Sequence, residues 1–339
     1  MRETRNNPSG ILFLDKRPGV TSFEALRGIK KALGTGKVGH TGTLDKFAGG
    51  LLVVLTGRAL KLSPWFTHCD KRYEGTIRFG AETDTLDNGG RITAEAPVPP
   101  SAAVEEALSR FRGGILQVPP AYSALHIGGR RASELAREGR PPEMRARPVH
   151  IYSLELLSWE PPHARIGVHC SGGVYIRSLA RDIALAAGSR GHLAALTRTA
   201  VAGFPRSWGL DGGESSPALI AAALRPVDRL IIAGLGLPTC EVNYDDVQKM
   251  IQGKALSSII RDEPRRGPET YEAPEAVTET GGAPRACAVF CGPHFAGIIE
   301  ERPGSDGGRQ WRYGYVYAEK APPVDGWEGG GPRKTGEDY

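Results

Sequence analysis

Residues 37 to 55 constrain this chain more than any other stretch. A polar, glycine-punctuated segment, Lys37-Val38-Gly39-His40-Thr41-Gly42-Thr43-Leu44-Asp45, leads almost at once into the strand-like apolar run Leu51-Leu52-Val53-Val54-Leu55. A loop anchored by packed elements is where chemistry usually sits. Its glycines tolerate positive φ and carry no Cβ, so backbone and side chains can approach a ligand closely. Asp45 has no second acid in this loop and lacks the Asp-x-Asp or His/Cys spacing of a metal site. The pattern points to a carboxylate acting alone, as a nucleophile or base. An arbitrary loop aspartate is more often a turn residue or a helix cap. Asp45 therefore needs company from elsewhere in the chain.

The 339 residues suffice for a large core and for more than one domain. A net charge of +5 permits a polyanionic partner without demanding one, so the placement of the arginines matters more than the total. The polar start, Met1 to Gly10, shows no secretory signal, and no run approaches the ~18 apolar residues of a membrane helix. The cysteines, Cys69, Cys170, Cys240, Cys287 and Cys291, are odd in number and scattered, which argues against a disulfide framework and fits a reducing cytoplasm. Cys287 and Cys291 have no matching His or Cys pair, so no zinc site is expected.

Gly10 to Lys16 reads as a strand. Thr21 and Glu24 have capping-box spacing, Phe23, Leu26, Ile29 and Leu33 follow at helical spacing, and Gly34 is a stop. Lys71 to Phe79 alternates, with Tyr73, Ile77 and Phe79 on one face. Thr83 to Gly90 is turn-rich and has the wrong spacing for a calcium loop. A short helix is expected over Val104 to Phe111. Pro119 to Pro148 is loop-like and cationic, with Arg130, Arg131, Arg137, Arg140, Arg145 and Arg147 near Tyr122 and His126, and one helix from Ala132 to Glu138. Such a mixture suits phosphate contact and base stacking, although a charge run is more usually a solvated face.

Val149 to Trp159 and Ala164 to Cys170 read as paired strands. Ser171-Gly172-Gly173 opens a helix to about Ala187 that carries Arg177 and Arg181 on one face, and Leu196 to Val201 is a further strand. The mixture has no regular βαβα rhythm, so the expected class is α+β, with a mixed, mainly antiparallel sheet flanked by helices. Leu230 to Thr239 reads as a linker. A smaller unit follows, with a helix near Tyr244 to Gly253 and strands at Ala286–Phe290, Phe295–Ile299 and Arg312–Ala318. Arg261 to Pro284 reads as a mobile insert, and 321–339 as a disordered tail.

Several blocks, in order, resemble the bacterial tRNA pseudouridine synthases of the TruB type. GHTGTLD (Gly39 to Asp45) is similar to their catalytic motif, LDKRPGVTS (Leu14 to Ser22) to the Lys-Pro motif and DKRYEG (Asp70 to Gly75) to the tyrosine motif. PPAYSALHIGGRRASELAREG (Pro119 to Gly139) resembles the RNA-facing insertion, CSGGVYIRSLARDIA (Cys170 to Ala184) the arginine motif, and GHLAALTRTAVAGF (Gly191 to Phe204) the closing strand. The resemblance implies a pseudouridine synthase domain over residues 9–230, with 119–148 as RNA-binding insertion. It further implies a small β-rich PUA-like domain over 236–320, interrupted by 261–284. The implied activity is isomerisation of uridine to pseudouridine in the tRNA T-loop, at the position conventionally numbered 55, in a cytoplasmic monomer with neither cofactor nor metal. By the same resemblance Asp45 is the catalytic aspartate, Tyr73 packs on the target base and Arg177 pairs with the aspartate. Tyr175 and Leu196 line the pocket, and His40 contacts the T-loop. Lys16 and Asp87 match further positions around the site, and Arg130 and Arg131 fall in the RNA-facing insertion. Two residues depart from the family pattern: Lys46 stands where proline is typical, and Gly49 where threonine or serine is usual. Lys46 would either favour the ionised aspartate or attract phosphate.

The implied reaction moves uracil from an N-glycosidic to a C-glycosidic bond, with no redox step and no net hydrolysis. An aspartate of ordinary pKa, about 3.9, is ionised at neutral pH without an activating base, and an arginine partner keeps it so in a closed site. Attack at C1′, addition to the base and abstraction of the 2′ proton are all compatible with the residue pattern. Tyr73 offers a flat face and a hydroxyl. An inactive RNA-binding scaffold would not need Asp45, Tyr73 and Arg177 intact. A hydrolase of phosphates or glycosides would want a second acid at a defined distance or a metal cluster, and the sequence shows neither.

Overall fold

A strand that is apolar on both faces has to be covered on both, and Gly49–Thr56 is buried at every position. It lies inside a ten-stranded sheet in a computed structural model that describes residues 8–213, 215–256, 259–260, 264–267, 271–272, 286–303 and 309–318. The chain divides into two compact units, with the boundary between Pro226 and Val227. The first begins with β1 (Gly10–Lys16), α1 (Ser22–Ala32), β2 (Val38–His40), β3 (Gly49–Thr56), α2 (Ser63–His68), β4 (Lys71–Phe79), β5 (Ala81–Thr83) and β6 (Ile92–Glu95). It continues through α3 (Ser101–Ser109), β7 (Gly113–Gln117), β8 (His126–Ile127), β9 (Arg130–Arg131), α4 (Ala132–Arg137), β10 (Arg147–Glu160) and β11 (His163–Cys170). It closes with α5 (Ile176–Ala186), β12 (Gly191–Val201), β13 (Phe204–Pro205), β14 (Leu210–Asp211) and α6 (Pro217–Ala222).

The sheet runs β14-β1-β3-β12-β4-β11-β10-β7, with β2 on β3 and β13 on β12. The β3–β12 and β1–β14 pairs are parallel and the other pairs antiparallel, so the mixed, mainly antiparallel sheet expected from the sequence is the one that forms. Alternation sorts the side chains by face. Leu12, Leu14, Leu52, Val54, Ile77 and Phe79 join Leu26 and Ile29 of α1, Val104 and Leu108 of α3, and Leu179 and Ile183 of α5 in one core cluster. Phe13, between Leu12 and Leu14, points the other way, into a ring cluster with Phe204 at 4.9 Å and Trp208 at 5.5 Å between centroids.

The Thr21 hydroxyl accepts the Glu24 N–H, and the Glu24 carboxylate accepts the Thr21 N–H at 2.8 Å, so α1 starts with the expected capping box. Its buried stripe is Ser22, Leu26 and Ile29. Phe23 does not belong to it and is 64% exposed, because the 4-then-3 spacing that faces the sheet begins one residue earlier. The helix expected from Ser171 starts later, at Ile176, with Tyr175 as N-cap.

The second unit contains α7 (Arg229–Gly234), β15 (Thr239–Glu241), α8 (Tyr244–Ile251), β16 (Ala286–Cys291), β17 (His294–Pro303) and β18 (Arg309–Val316). Its sheet order is β15-β16-β17-β18, and Val247, Met250, Val289 and Ile299 form its core. It is a separate β-rich unit. Of Leu230 to Thr239, which reads as a linker, the first half lies in α7 and Thr239 begins β15. Asp228 caps that helix by accepting the Ile231 N–H at 2.9 Å, and Ile231 and Ile232 are buried. The 261–284 insert lies largely, and the 321–339 tail wholly, outside the described residues.

The contact between β3 and β12 tolerates no side chain at Gly50. Its φ is +98°, and a Cβ there would lie 2.3 Å from the Arg198 carbonyl oxygen. Gly50→Ala is expected to destabilise the first unit by about 1–3 kcal/mol, read as a lower denaturation midpoint; an unchanged midpoint would show that the two strands can part without cost.

Candidate active site

The loop after β2 is held by three separate segments of chain. The Thr41 N–H donates to the Val53 carbonyl at 3.1 Å, which continues the β2–β3 pairing. Ser22, buried at the start of α1, donates its hydroxyl to the Leu44 carbonyl at 3.0 Å and accepts the Leu44 N–H at 2.9 Å. The Gly19 N–H donates to the Lys46 carbonyl at 2.7 Å, and the Ala48 N–H to that of Asp45 at 3.1 Å. From β12, buried Arg198 donates to the carbonyls of Gly42 at 3.1 Å and Leu51 at 2.7 Å. Asp45 thus stands on a backbone that is tied on both sides of it.

Its partner comes from 132 residues further along. Arg177 donates Nε to Oδ2 of Asp45 at 2.9 Å and Nη2 to Oδ1 at 3.1 Å, a two-pronged ion pair. The arginine side chain is 5% exposed and the aspartate 37%, so the pair has an inner cation and an outer anion. The remaining guanidinium donors reach the Thr85 carbonyl at 2.8 Å and the Tyr122 carbonyl at 3.0 Å, with Asp87 Oδ2 3.7 Å from Nη1. A buried cation is tolerable when its donors are satisfied in this way, and cutting such a pair typically costs about 3–5 kcal/mol. Gln117 at the end of β7 fixes where the arginine starts. Its side chain accepts the Tyr175 N–H at 2.8 Å and donates to the Tyr175 carbonyl at 3.2 Å.

The carboxylate opens into a pocket of about 880 Å³. Among the residues singled out in the sequence, Asp45, Tyr73, Arg177, His40, Tyr175, Leu196 and Arg131 line it together. Lys16, Asp87 and Arg130 do not. Lys16 is buried and donates to the carbonyls of Val20 at 2.7 Å and Arg17 at 3.1 Å, within the turn between β1 and α1. Asp87 lies behind Arg177, its Oδ1 accepting from Thr85 Oγ1 at 2.7 Å and the Gly89 N–H at 2.9 Å. Arg130 is exposed and paired with Glu138. Arg181, on the same helix as Arg177, bonds Asp182 and the Val118 carbonyl instead.

Arg198, Lys71, Lys46, Arg137 and Phe23 also line the pocket. Nothing in the spacing of Ser22, Gln117 or Arg198 marks them as site residues. Only their positions in space do, although Ser22 and Arg198 lie within blocks of the family resemblance.

Burial raises the pKa of the Tyr73 phenol, partly opposed by Arg198, so at neutral pH this side chain is a ring face and a hydrogen-bond donor rather than a base. Burial, with Arg198 adding to it, lowers that of His40, which leaves a neutral imidazole whose buried Nδ1 has no hydrogen-bond partner among the described residues. Burial brings the Lys71 amine down to about 8. The arrangement offers a fixed carboxylate with two of about four lone-pair directions taken by Arg177, a flat aromatic wall and cations around the rim. Among the described residues, no group of three or more His, Cys, Asp or Glu is placed to hold a metal ion.

Residues 30–176 match the family described as TruB family pseudouridylate synthase (N terminal domain). The chain is 40% identical over 300 residues to the tRNA pseudouridine synthase B of Azoarcus sp. (strain BH72), covering 87% of this chain and 92% of that one. It is 47% identical over 209 residues to the protein of the same name from Bordetella avium (strain 197N), covering 60% and 86%. Among solved structures, a chain of a Cbf5–Nop10–Gar1 complex shares the fold with a TM-score of 0.64 at 22% identity, covering 91% of this chain and 85% of that one.

Lys16 links the site to pH. Burial lowers its amine to about 8, while Asp45 pulls it up and Arg198 pushes it down. Between pH 8 and the ordinary lysine value of about 10.4, the unfolded chain therefore holds more protons at this position than the folded one, and stability from this group rises with pH. Relative to Lys16→Met, the wild-type protein should gain on the order of 1 kcal/mol or more of unfolding free energy from pH 7.5 to 10. A flat difference would mean that the amine titrates normally.

Proposed function

The chain belongs to the TruB family of pseudouridine synthases, and from that premise we propose that it isomerises uridine to pseudouridine in the T-loop of tRNA, at the position conventionally numbered 55. One observation carries the reading: the Asp45–Arg177 ion pair, assembled from distant segments, faces a pocket that also holds Tyr73 and Leu196. In the proposed reaction the target nucleotide leaves its stack, at a cost of a few kcal/mol, and enters this pocket. Cations at the rim, Arg131 and Arg137 of the inserted segment among them, offset that cost by holding phosphates.

Asp45 acts as the nucleophile. Arg177 engages one lone pair on each of its oxygens, which orients the carboxylate while the remaining lone pairs address the nucleoside. An Asp45 carboxylate oxygen bonds the nucleoside as the bond from C1′ to N1 breaks, the uracil turns while held against the Tyr73 ring, a bond from C1′ to C5 forms as the carboxylate leaves, and the proton lost from C5 is matched by one gained at N1. Atoms and electrons balance within the nucleoside, so the isomerisation needs no redox partner and consumes no water.

Asp45→Asn is expected to bind a T-arm stem-loop with wild-type affinity and to lose at least about a thousandfold in turnover, the scale on which removal of a catalytic group acts. Pseudouridine mapping of the incubated RNA reads this directly, and near-normal conversion by the variant would remove the nucleophile assignment.

The two arginines of β9 should separate. Arg131 lines the pocket, whereas Arg130 is engaged by Glu138. Arg131→Ala is expected to weaken stem-loop binding and to flatten the salt dependence of log Kd by about 0.7, the value for one phosphate contact on a single strand, with a smaller change for Arg130→Ala. Equal slopes in wild type and Arg131→Ala would take Arg131 off the RNA surface.

A further inference from the structure

Phe23 is a large aromatic in the first turn of α1, 64% exposed and outside the helix's buried stripe. Single exposed apolar residues are ordinary and need no explanation. Phe23 differs in its location, because it forms part of the wall of the pocket that holds Asp45. It is also fixed there. The two hydrogen bonds between Ser22 and Leu44 and the one from Gly19 to Lys46 fasten the start of α1 to the Asp45 loop on both sides of Asp45. The Thr21–Glu24 capping box sets the first turn, so the ring cannot drift with a fraying helix end.

The surroundings of the ring are cationic. Lys30 Nζ stands 4.9 Å from its centroid, and Lys46 is exposed on the same pocket wall. The nearby carboxylate, Glu24, is turned back onto the N–H and hydroxyl of Thr21, 2.8 Å from each. An aromatic face with cations beside it is the combination that holds single-stranded nucleotides, with the base on the ring and the phosphate on a cation; Lys30 stands over one face of Phe23, which leaves the other face and Lys46. A volume of about 880 Å³ is near the upper end for pockets that take one small molecule, which leaves room beside the everted base.

We propose that Phe23 and Lys46 form an accessory nucleotide site next to the catalytic pocket, which takes the nucleotide flanking the target uridine in the same RNA. The flanking base stacks on the open face of Phe23, and a neighbouring phosphate lies against Lys46. The stacking is tolerant of base identity, so the site adds affinity and register rather than sequence readout. This inference rests on the RNA-modifying function proposed above.

The test is a cycle between protein and RNA. Kd is measured for wild type and Phe23→Ala with a T-arm stem-loop and with stem-loops carrying a single abasic sugar at each loop position in turn. Phe23→Ala should weaken binding of the intact RNA about tenfold, the scale of one base–aromatic stack, while Phe23→Trp retains affinity. At one position flanking the target, the abasic sugar should weaken wild type by a similar factor and leave Phe23→Ala nearly unaffected. Lys46→Ala should flatten the salt slope of log Kd by about 0.7. Additive effects at every loop position would overturn the stacking, and an unchanged slope for Lys46→Ala would overturn the phosphate contact. Pseudouridine formation by wild type on the intact stem-loop is scored in the same series. If wild type modifies the RNA and the cycle is additive, only the accessory site fails; if wild type neither binds nor modifies it, the proposed function fails as well. Phe23 is exposed, so loss of folding is not expected, and an unchanged melting temperature for Phe23→Ala verifies this.

Discussion

The guanidinium of Arg177 is the point on which the site stands. It is buried, so its charge has to be met within the protein, and Asp45 together with the carbonyls of Thr85 and Tyr122 meets it. Four stretches of chain are therefore drawn to one side chain: α5, the loop after β2, the turn before β6 and the segment after β7. The same bonds that make the buried cation tolerable aim the Asp45 carboxylate at the pocket. Stability and orientation of the carboxylate have one cause here.

The loop that carries Asp45 is rigid without having regular structure of its own. Ser22 holds Leu44, Arg198 holds Gly42, and Gly19 holds the carbonyl of Lys46. Ser22 comes from the start of α1, Gly19 from the turn just before it and Arg198 from β12. A buried central strand is thus more than core. It is the reference surface against which α1, β12 and the loop are set. Gly50, where a Cβ would strike the Arg198 carbonyl oxygen, is where that contact is tightest.

The sequence was legible where one element answers to its own periodicity. The alternation in Lys71 to Phe79, the apolar run at Leu51 to Leu55 and the Thr21–Glu24 cap all became the expected elements, because local pattern and burial agree there. It misled where burial depends on a neighbour that the pattern does not name. Phe23 has helical spacing with Leu26, yet Ser22, bonded to Leu44 of the Asp45 loop, is the residue buried there instead. Lys16 looks like an exposed cation near the site, yet it is buried and bonded to two carbonyl oxygens of the turn that follows it. Leu230 to Thr239 looks like a linker, yet Asp228 caps a helix there whose isoleucines are buried. Arg130 and Arg131 are equivalent in the sequence, and the structure separates them: Arg131 lines the pocket and Arg130 pairs with Glu138.

By itself the sequence determined the α+β class, the mainly antiparallel sheet and the kinship, through the ordered blocks from Leu14 to Phe204. The class and the sheet follow from spacing along the chain, and the kinship from the resemblance of those blocks. The resemblance implied Arg177 as the partner of Asp45 and Tyr175 and Leu196 as pocket lining; only the tertiary structure decided that Arg131, but not Lys16, Asp87 or Arg130, lines that pocket, and that Ser22, Gln117 and Arg198 hold its surroundings in place. Contacts between residues 22 and 44, 117 and 175, or 45 and 177 carry no periodicity, because the sheet that joins them brings together segments remote in the chain.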